Sequence, residues 1–289
     1  MRSVLVIGCG AVGASLGRAI AGSKRHRVAG VHDTSDERAR STAEALGVEA
    51  LGDLGGVAAS RAELVLVAVP AARIGSVAAA AARALSARAH QIWLHCDGRE
   101  PAGALGALFG KAKGLGTLHP ACAFPPGEIT PLRPGCGFAI SGDPAALEAS
   151  EELARDLGGF AVRVPDEARG AYHAAAVMAS NCAIALVAAA RGVLVEHGID
   201  PGDAERLLVA LAASAIAVGE DRGLEAGLSG PIRRGDAETV RRNLEALAGD
   251  RGARACYKVL GRSVLAIARG AAEYRPEIAA EIERLLEDS

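Results

Sequence analysis

The stretch from Ser3 to Gly17, SVLVIGCGAVGASLG, limits the possible folds more than any other part of the chain. Its apolar start reads as a strand covered on both faces. Gly8, Gly10 and Gly13 follow at once in G-x-G-x-x-G spacing and open an Ala-rich helical segment. Each glycine has its own mechanical role. The first makes the tight turn, the second lets backbone approach a pyrophosphate, and the third lets helix pack closely on strand. The amides of Ala11, Val12 and Gly13 then face phosphate charge. A glycine triplet alone is a weak signal, but here Asp33 stands twenty residues beyond Gly13, ending a second strand-like run, RVAGVHD. An acid there accepts both ribose hydroxyls of NAD and repels the 2′-phosphate of NADP. The pattern predicts a site for NAD or NADP, with NAD favoured. Capping a helix that begins near Asp36 is the plainer use of Asp33, and Arg38 is the residue that would reach a phosphate. Val69 and Pro70, where LVLVAV stops, are the expected wall of the nicotinamide pocket.

Further apolar runs at 64–69, 91–96, 114–119, 137–141 and 160–164 alternate with helical stretches, the pattern of a sheet covered by helices. After VPDEARG the strand signals stop, and helices are expected over 171–196, 202–219, 236–248, 252–270 and 276–287. The fold class is therefore α/β: a Rossmann domain with a mainly parallel sheet over residues 1–168, followed by an all-α domain over 169–289.

Composition excludes several function classes. A net charge of -2 leaves no basic stripe for nucleic acid or an anionic membrane, and 3% aromatic residues leave no stacking platform for bases. The six cysteines show no C-x-x-C pair and no His at metal-ligand spacing, so no metal is expected and they read as small buried hydrophobes. The longest apolar run, Ala174 to Ala190, is rich in Ala and broken by Ser180 and Asn181, which predicts a buried helix. A strand starting within MRSVLVIG leaves no space for a leader, so a cytoplasmic location is expected.

With LHCDG (94–98), GTLHPACAF (116–124), YHAAAVMASN (172–181) and LSGPIRRGD (228–236), the chain resembles a family of NAD(P)-dependent oxidoreductases. These join a Rossmann domain to a helical C-terminal domain long catalogued as of unknown function. The Rossmann half is similar to those of deazaflavin-dependent NADP reductase, pyrroline-5-carboxylate reductase and prephenate dehydrogenase. The resemblance implies a small-molecule substrate in a cleft between the domains and a homodimer formed through the helical domain. Some members are similar to an alternative ketopantoate reductase. The chain departs from the family at Asp97, often a small hydroxyl residue there, at Ser229, commonly Thr, and at Asn243, often His. Thr34 replaces a residue that tends to be basic, which again favours NAD.

Hydride transfer to a C=O or C=N carbon needs a proton donor or polariser at the heteroatom and a holder for the rest of the substrate. His119, at a strand end before Pro120, is one candidate, and prephenate dehydrogenase has a similar His-Pro. His173 is a second, and Ser180, seven residues on, falls on nearly the same helical face, with Asn181 one residue round. Tyr172 could donate a hydrogen bond too, with an amphipathic core tyrosine as its default reading. In SGPIRRGD, Asp236 is a natural N-cap, and Arg234, beside Ser229, presents a fork suited to a substrate carboxylate or a cofactor phosphate. Adhesion through Arg234-Gly235-Asp236 is implausible in a chain with no sign of secretion. An extra carboxylate at Asp97 would alter substrate charge preference. The ordinary alternatives are structural histidines and a solvated Arg234. The chain thus reads as a reductase, or the reverse dehydrogenase, of a small carboxylate-bearing oxo or imino compound, with a prephenate-type dehydrogenase and a non-catalytic nucleotide sensor as rivals.

Overall fold

Each apolar run that reads as a strand forms one. In the computed structural model, which describes residues 1–85, 90–270 and 274–287, the strands are β1 (Arg2–Ile7), β2 (His26–His32), β3 (Leu64–Val67), β4 (Ile92–His95), β5 (Gly114–Pro120), β6 (Gly137–Gly142) and β7 (Phe160–Arg163). They make one sheet in the order β2-β1-β3-β4-β5-β6-β7. The first five run parallel; β6 is antiparallel to β5 and parallel to β7. Strand side chains alternate between faces, and here both faces are covered. Val4, Val6, Leu64, Leu66 and Leu94 pack on one side with Leu16 and Ile20 of α1 (Ala11–Ala21) and Leu153. Leu5, Ile7, Val65, Val67 and Trp93 pack on the other with residues such as Ile74 and Ala78. That two-sided burial is why the central strands are apolar at almost every position.

The chain divides into two compact units, Met1–Val177 and Met178–Ser289. The first also holds α2 (Asp36–Leu46), α3 (Leu54–Ala59), α4 (Ala71–Ala84), α5 (Pro144–Asp156) and α6 (Arg169–Val177). In the second, α7 (Ala183–Glu196) and α8 (Pro201–Arg222) precede a single turn, α9 (Pro231–Arg234), and then α10 (Ala237–Ala246), α11 (Arg251–Ala268) and α12 (Pro276–Leu286). Ile232, Val240, Leu244, Leu265, Ile282 and Leu286 form its core. SGPIRRGD is therefore a one-turn helix with Gly235 at its end in the left-handed region (φ 72°). Asp236 caps α10 as expected, accepting from the Thr239 amide at 3.0 Å.

Three expectations need correction. The apolar run Ala174 to Ala190 is not buried by its own chain: α7 has no buried residue, and Ile184 is 72% exposed. Alanine-rich apolar composition fits a helix covered by its own chain and one that is not. Among the described residues, Asp166–Glu196 is the helical run long and apolar enough to cross a membrane by length and composition. Within it a π turn, Met178–Cys182, carries Ser180 and Asn181 and interrupts the 3.6-residue period behind the face predicted for His173 and Ser180. The cysteines are not all unpaired small hydrophobes. Cys122, just after β5, and Cys136, just before β6, form a disulfide because the antiparallel connection brings the two strand ends together, whereas Cys9 and Cys96 are buried and free and Cys182 is exposed.

Candidate functional site

Strand order reverses between β1 and β3, and the crevice beyond their carboxyl ends is where open α/β sheets bind ligands. The glycine loop occupies it. Gly8 has φ +96°, and a Cβ there would lie 2.4 Å from the Ala68 carbonyl oxygen; one on Gly13 would lie 1.8 Å from the carbonyl oxygen of Gly8. The loop and the first turn of α1 therefore tolerate no side chain at either place. Gly10 differs, since a Cβ on it meets nothing within 4 Å and would project into open space. Gly10 is also the N-cap of α1, with no side-chain cap and no acid in the first turn. The helix opens with free amides and a bare approach, a fit for the pyrophosphate of a dinucleotide. Of the two non-glycine contacts predicted at the head of α1, Ala11 is half-buried in that first turn and Val12 packs its side chain on the core, leaving only backbone to offer.

Asp33 stands across the crevice. Its carboxylate accepts from the Cys9 amide (2.8 Å), the Ser35 amide (2.8 Å) and the Arg38 guanidinium (2.7 Å). Burial opposes its charge, but the Arg38 hydrogen bond and the Ser35 and Cys9 amides outweigh it and hold the carboxyl below the usual aspartate range. The cap of α2 is Ser35, not Asp33. Gly8, Gly10, Asp33, Arg38, Val69 and Pro70 line one cavity of about 680 Å³, which brings together the predicted ribose acceptor, phosphate loop and nicotinamide wall.

Farther along the same sheet edge, the ends of β4 and β5 carry a second polar group. His119 Nδ1 lies 2.8 Å from the Tyr172 hydroxyl, the two rings meeting edge to face. The imidazole packs against bare backbone, because a Cβ on Gly98 would come within 2.9 Å of Nε2. Burial first, and then the charge of Arg169, push His119 down to about 4, so its ring is neutral at physiological pH. His95 is neutral for a related reason. Burial lowers its pKa, and its Nδ1 accepts from the Asp97 amide (3.3 Å) while Nε2 lies 3.0 Å from the Pro101 carbonyl, which fixes the Nε2–H tautomer. Burial works against the Asp97 carboxylate, but the amides of Glu100 and Arg99 (both 2.8 Å) prevail and keep it ionised.

Tyr172 is thus not a plain core tyrosine, since its hydroxyl orients His119. Arg169 escaped the sequence reading altogether: it lies in VPDEARG, which reads as a linker, yet it is 1% exposed. The signal was available as an arginine heading a strongly apolar helix, where a charge is costly without partners. His173 is exposed on α6, and Asn181 is exposed with its side-chain oxygen accepting from Ser180 at 3.0 Å. In the second unit, the Arg234 guanidinium donates to the Ser229 carbonyl, and both line a cavity of about 590 Å³ with Arg233 and Tyr274. Asn243 donates to the Tyr257 hydroxyl at 3.0 Å. No group of three or more His, Cys, Asp or Glu that could hold a metal occurs among the described residues.

Residues 3–94 match the family described as NADP oxidoreductase coenzyme F420-dependent, and residues 136–264 match a domain of unknown function (DUF2520). No curated protein matches the chain. Among solved structures, a Thermotoga maritima protein superposes with a TM-score of 0.70 at 23% identity, covering 92% of this chain and 98% of that one. Plasmodium falciparum pyrroline carboxylate reductase with NADP bound gives 0.63 at 11% identity over 99% and 98%. Prephenate dehydrogenase from A. aeolicus, in complex with hydroxyphenyl propionate and NAD+, gives 0.54 at 15% identity over 92% and 98%. At these identities the likenesses establish the fold.

Proposed function

From the premise that this chain belongs to the oxidoreductases joining an NADP-oxidoreductase Rossmann domain to the helical domain of unknown function, we propose that its substrate is a small carboxylate-bearing oxo or imino compound, or the matching hydroxy or amino compound. One observation carries this reading: the phosphate cradle and a neutral, oriented histidine share one sheet edge. Adjacent strands are about 4.8 Å apart, so His119 on β5 stands roughly 10 Å along that edge from Val69 and Pro70 at the end of β3. The bound nicotinamide supplies the hydride acceptor or donor. His119 handles the proton. In the oxidative direction its neutral ring accepts at Nε2 while Nδ1–H is donated to the Tyr172 oxygen, and in reduction Nε2 gives up a proton that the ring has first taken from solvent. Asp97 tunes which charge the substrate carries. NAD is the preferred cofactor, since the ionised Asp33 repels a 2′-phosphate.

Nicotinamide absorbance followed with NADH and NADPH against a panel of 2-oxo acids, ketopantoate included, with and without ammonium, tests the proposal. Oxidation of NADH in preference to NADPH by an oxo or imino acid is the expected result. Tight binding of NADH without its oxidation by any of them would instead identify a sensor. Prephenate-type dehydrogenation is the second reading, supported by His119-Pro120 at the end of β5, and NAD+ reduction by prephenate would select it.

The protein is further proposed to act as a homodimer through its helical unit. Leu207 and Leu211, one turn apart on one face of α8, are 62% and 65% exposed, beside the uncovered α7. Covering each such side chain is worth about 1.5–3 kcal/mol, and contiguous apolar faces of this kind mark interaction sites. Light scattering behind size exclusion should give twice the chain mass, with Leu211→Asp shifting it to the monomer. A monomeric wild type at micromolar concentration would refute the assignment.

A further inference from the structure

We propose that Arg169 is a positioning residue for His119: a buried cation that pins the wall on which the imidazole packs and biases the site towards anionic substrates. The inference rests on the functional reading above. Its geometry begins with the guanidinium at the head of α6. Nη1 donates to the Asp97 carbonyl (3.3 Å) and the Gly98 carbonyl (3.4 Å), and Nη2 donates to Thr117 Oγ1. One side chain therefore ties the loop after β4 to β5, and Gly98, against which His119 rests, is one of its anchor points. Three residues farther along α6, Tyr172 holds Nδ1 of the same histidine. The ring is braced on two sides by one helix, directly through Tyr172 and indirectly through Arg169.

The charge of Arg169 has no direct carboxylate partner. Its hydrogen-bond partners are two carbonyls and a hydroxyl, all neutral, and its buried Nε has no partner among the described residues. Thr117 Oγ1 accepts from Arg169 and from the Ser141 amide (2.9 Å), which leaves its own proton for Ser141 Oγ at 3.2 Å. Ser141 in turn donates to Asp166 Oδ1 at 2.6 Å. Asp166 and Asp97 act on the guanidinium through space, but neither carboxylate is hydrogen-bonded to it. A buried cation without a direct carboxylate partner projects positive potential into its surroundings. It does so beside His119, whose other charged or titratable neighbours are Asp97 and His95 from β4 and its loop and Tyr172 and His173 from α6. A substrate carboxylate gains from that potential, and an imidazolium loses.

The test is a pH titration of His119, observed by NMR of 13C-labelled histidine in the NAD+-bound protein and assigned with His119→Asn. Arg169→Gln removes the charge and Arg169→Lys keeps it. The Gln variant should titrate nearer the ordinary histidine range, and the Lys variant close to the wild-type midpoint of about 4. A Gln variant that binds NAD+ and titrates like wild type would overturn the proposal, as would a Lys variant shifted as far as Gln. If Arg169→Gln does not fold, Thr117→Val serves, since it removes one acceptor and the link to Asp166 but keeps the charge. Its midpoint must stay at or below wild type, and a rise overturns the inference. Titration needs no turnover, so failure of every substrate would sink the oxidoreductase reading and leave this measurement intact.

Discussion

Replacing His119 with asparagine should lower turnover by roughly 10²–10⁴-fold, the usual worth of a positioned proton-transfer group, while dinucleotide affinity stays unchanged. Asparagine keeps a polar side chain against Gly98 but has no ring nitrogen to exchange a proton. The affinity half of the prediction follows from position: His119 ends β5, whereas the cavity of Gly8, Gly10 and Asp33 is framed by β1, β2 and β3. The pH profile sharpens it. The histidine is depressed from 6.5 to about 4, so the group is neutral across the physiological range. In the oxidative direction kcat/KM should hold level through neutrality and fall only as pH approaches about 4. A fall centred near the ordinary histidine value would mean that another group takes the proton. The same shift bears on stability with a definite sign. Below 6.5 the unfolded chain binds a proton that the folded chain refuses until about 4, so His119 costs stability as pH falls through that window and costs nothing above it.

The glycine loop gives the second large effect, as a contrast between two alanines. In Gly13→Ala the new Cβ would lie 1.8 Å from the Gly8 carbonyl oxygen, so strand and helix must separate. Overpacking of that kind costs about 1–3 kcal/mol or more, and both thermal stability and cofactor binding should fall. In Gly10→Ala the Cβ enters open space. Its melting temperature without cofactor should match wild type, while NADH affinity drops by at least about tenfold, equivalent to ~1.4 kcal/mol. Calorimetric titration paired with thermal melts separates the two. Wild-type affinity in Gly10→Ala would show that no pyrophosphate passes over that α-carbon.

The sheet was legible because its constraint is local. A strand buried on both faces must be apolar throughout, and Leu64–Val67 shows this in four letters. The glycine loop was legible because backbone geometry admits no other residue at Gly8 and Gly13. The polar group around His119 was only half legible. The histidine itself was marked by its strand end and Pro120, but its partners come from sequence separations of 53 residues for Tyr172 and of 52 to 72 residues for the Arg169 contacts. No short window contains such a pattern. Arg169 was hidden further because two of its acceptors are main-chain carbonyls, which every residue type supplies. The Cys122 and Cys136 pairing likewise depends on a strand reversal, not on spacing.

In the homodimer proposed above, the bare face of α7 and α8 would link folding to mass action. When a helix finds its apolar cover only on another copy, association free energy belongs to the folded state, and unfolding and dissociation become one coupled equilibrium. In the proposed homodimer the midpoint of unfolding would rise with protein concentration, and dilution would act as a mild denaturant.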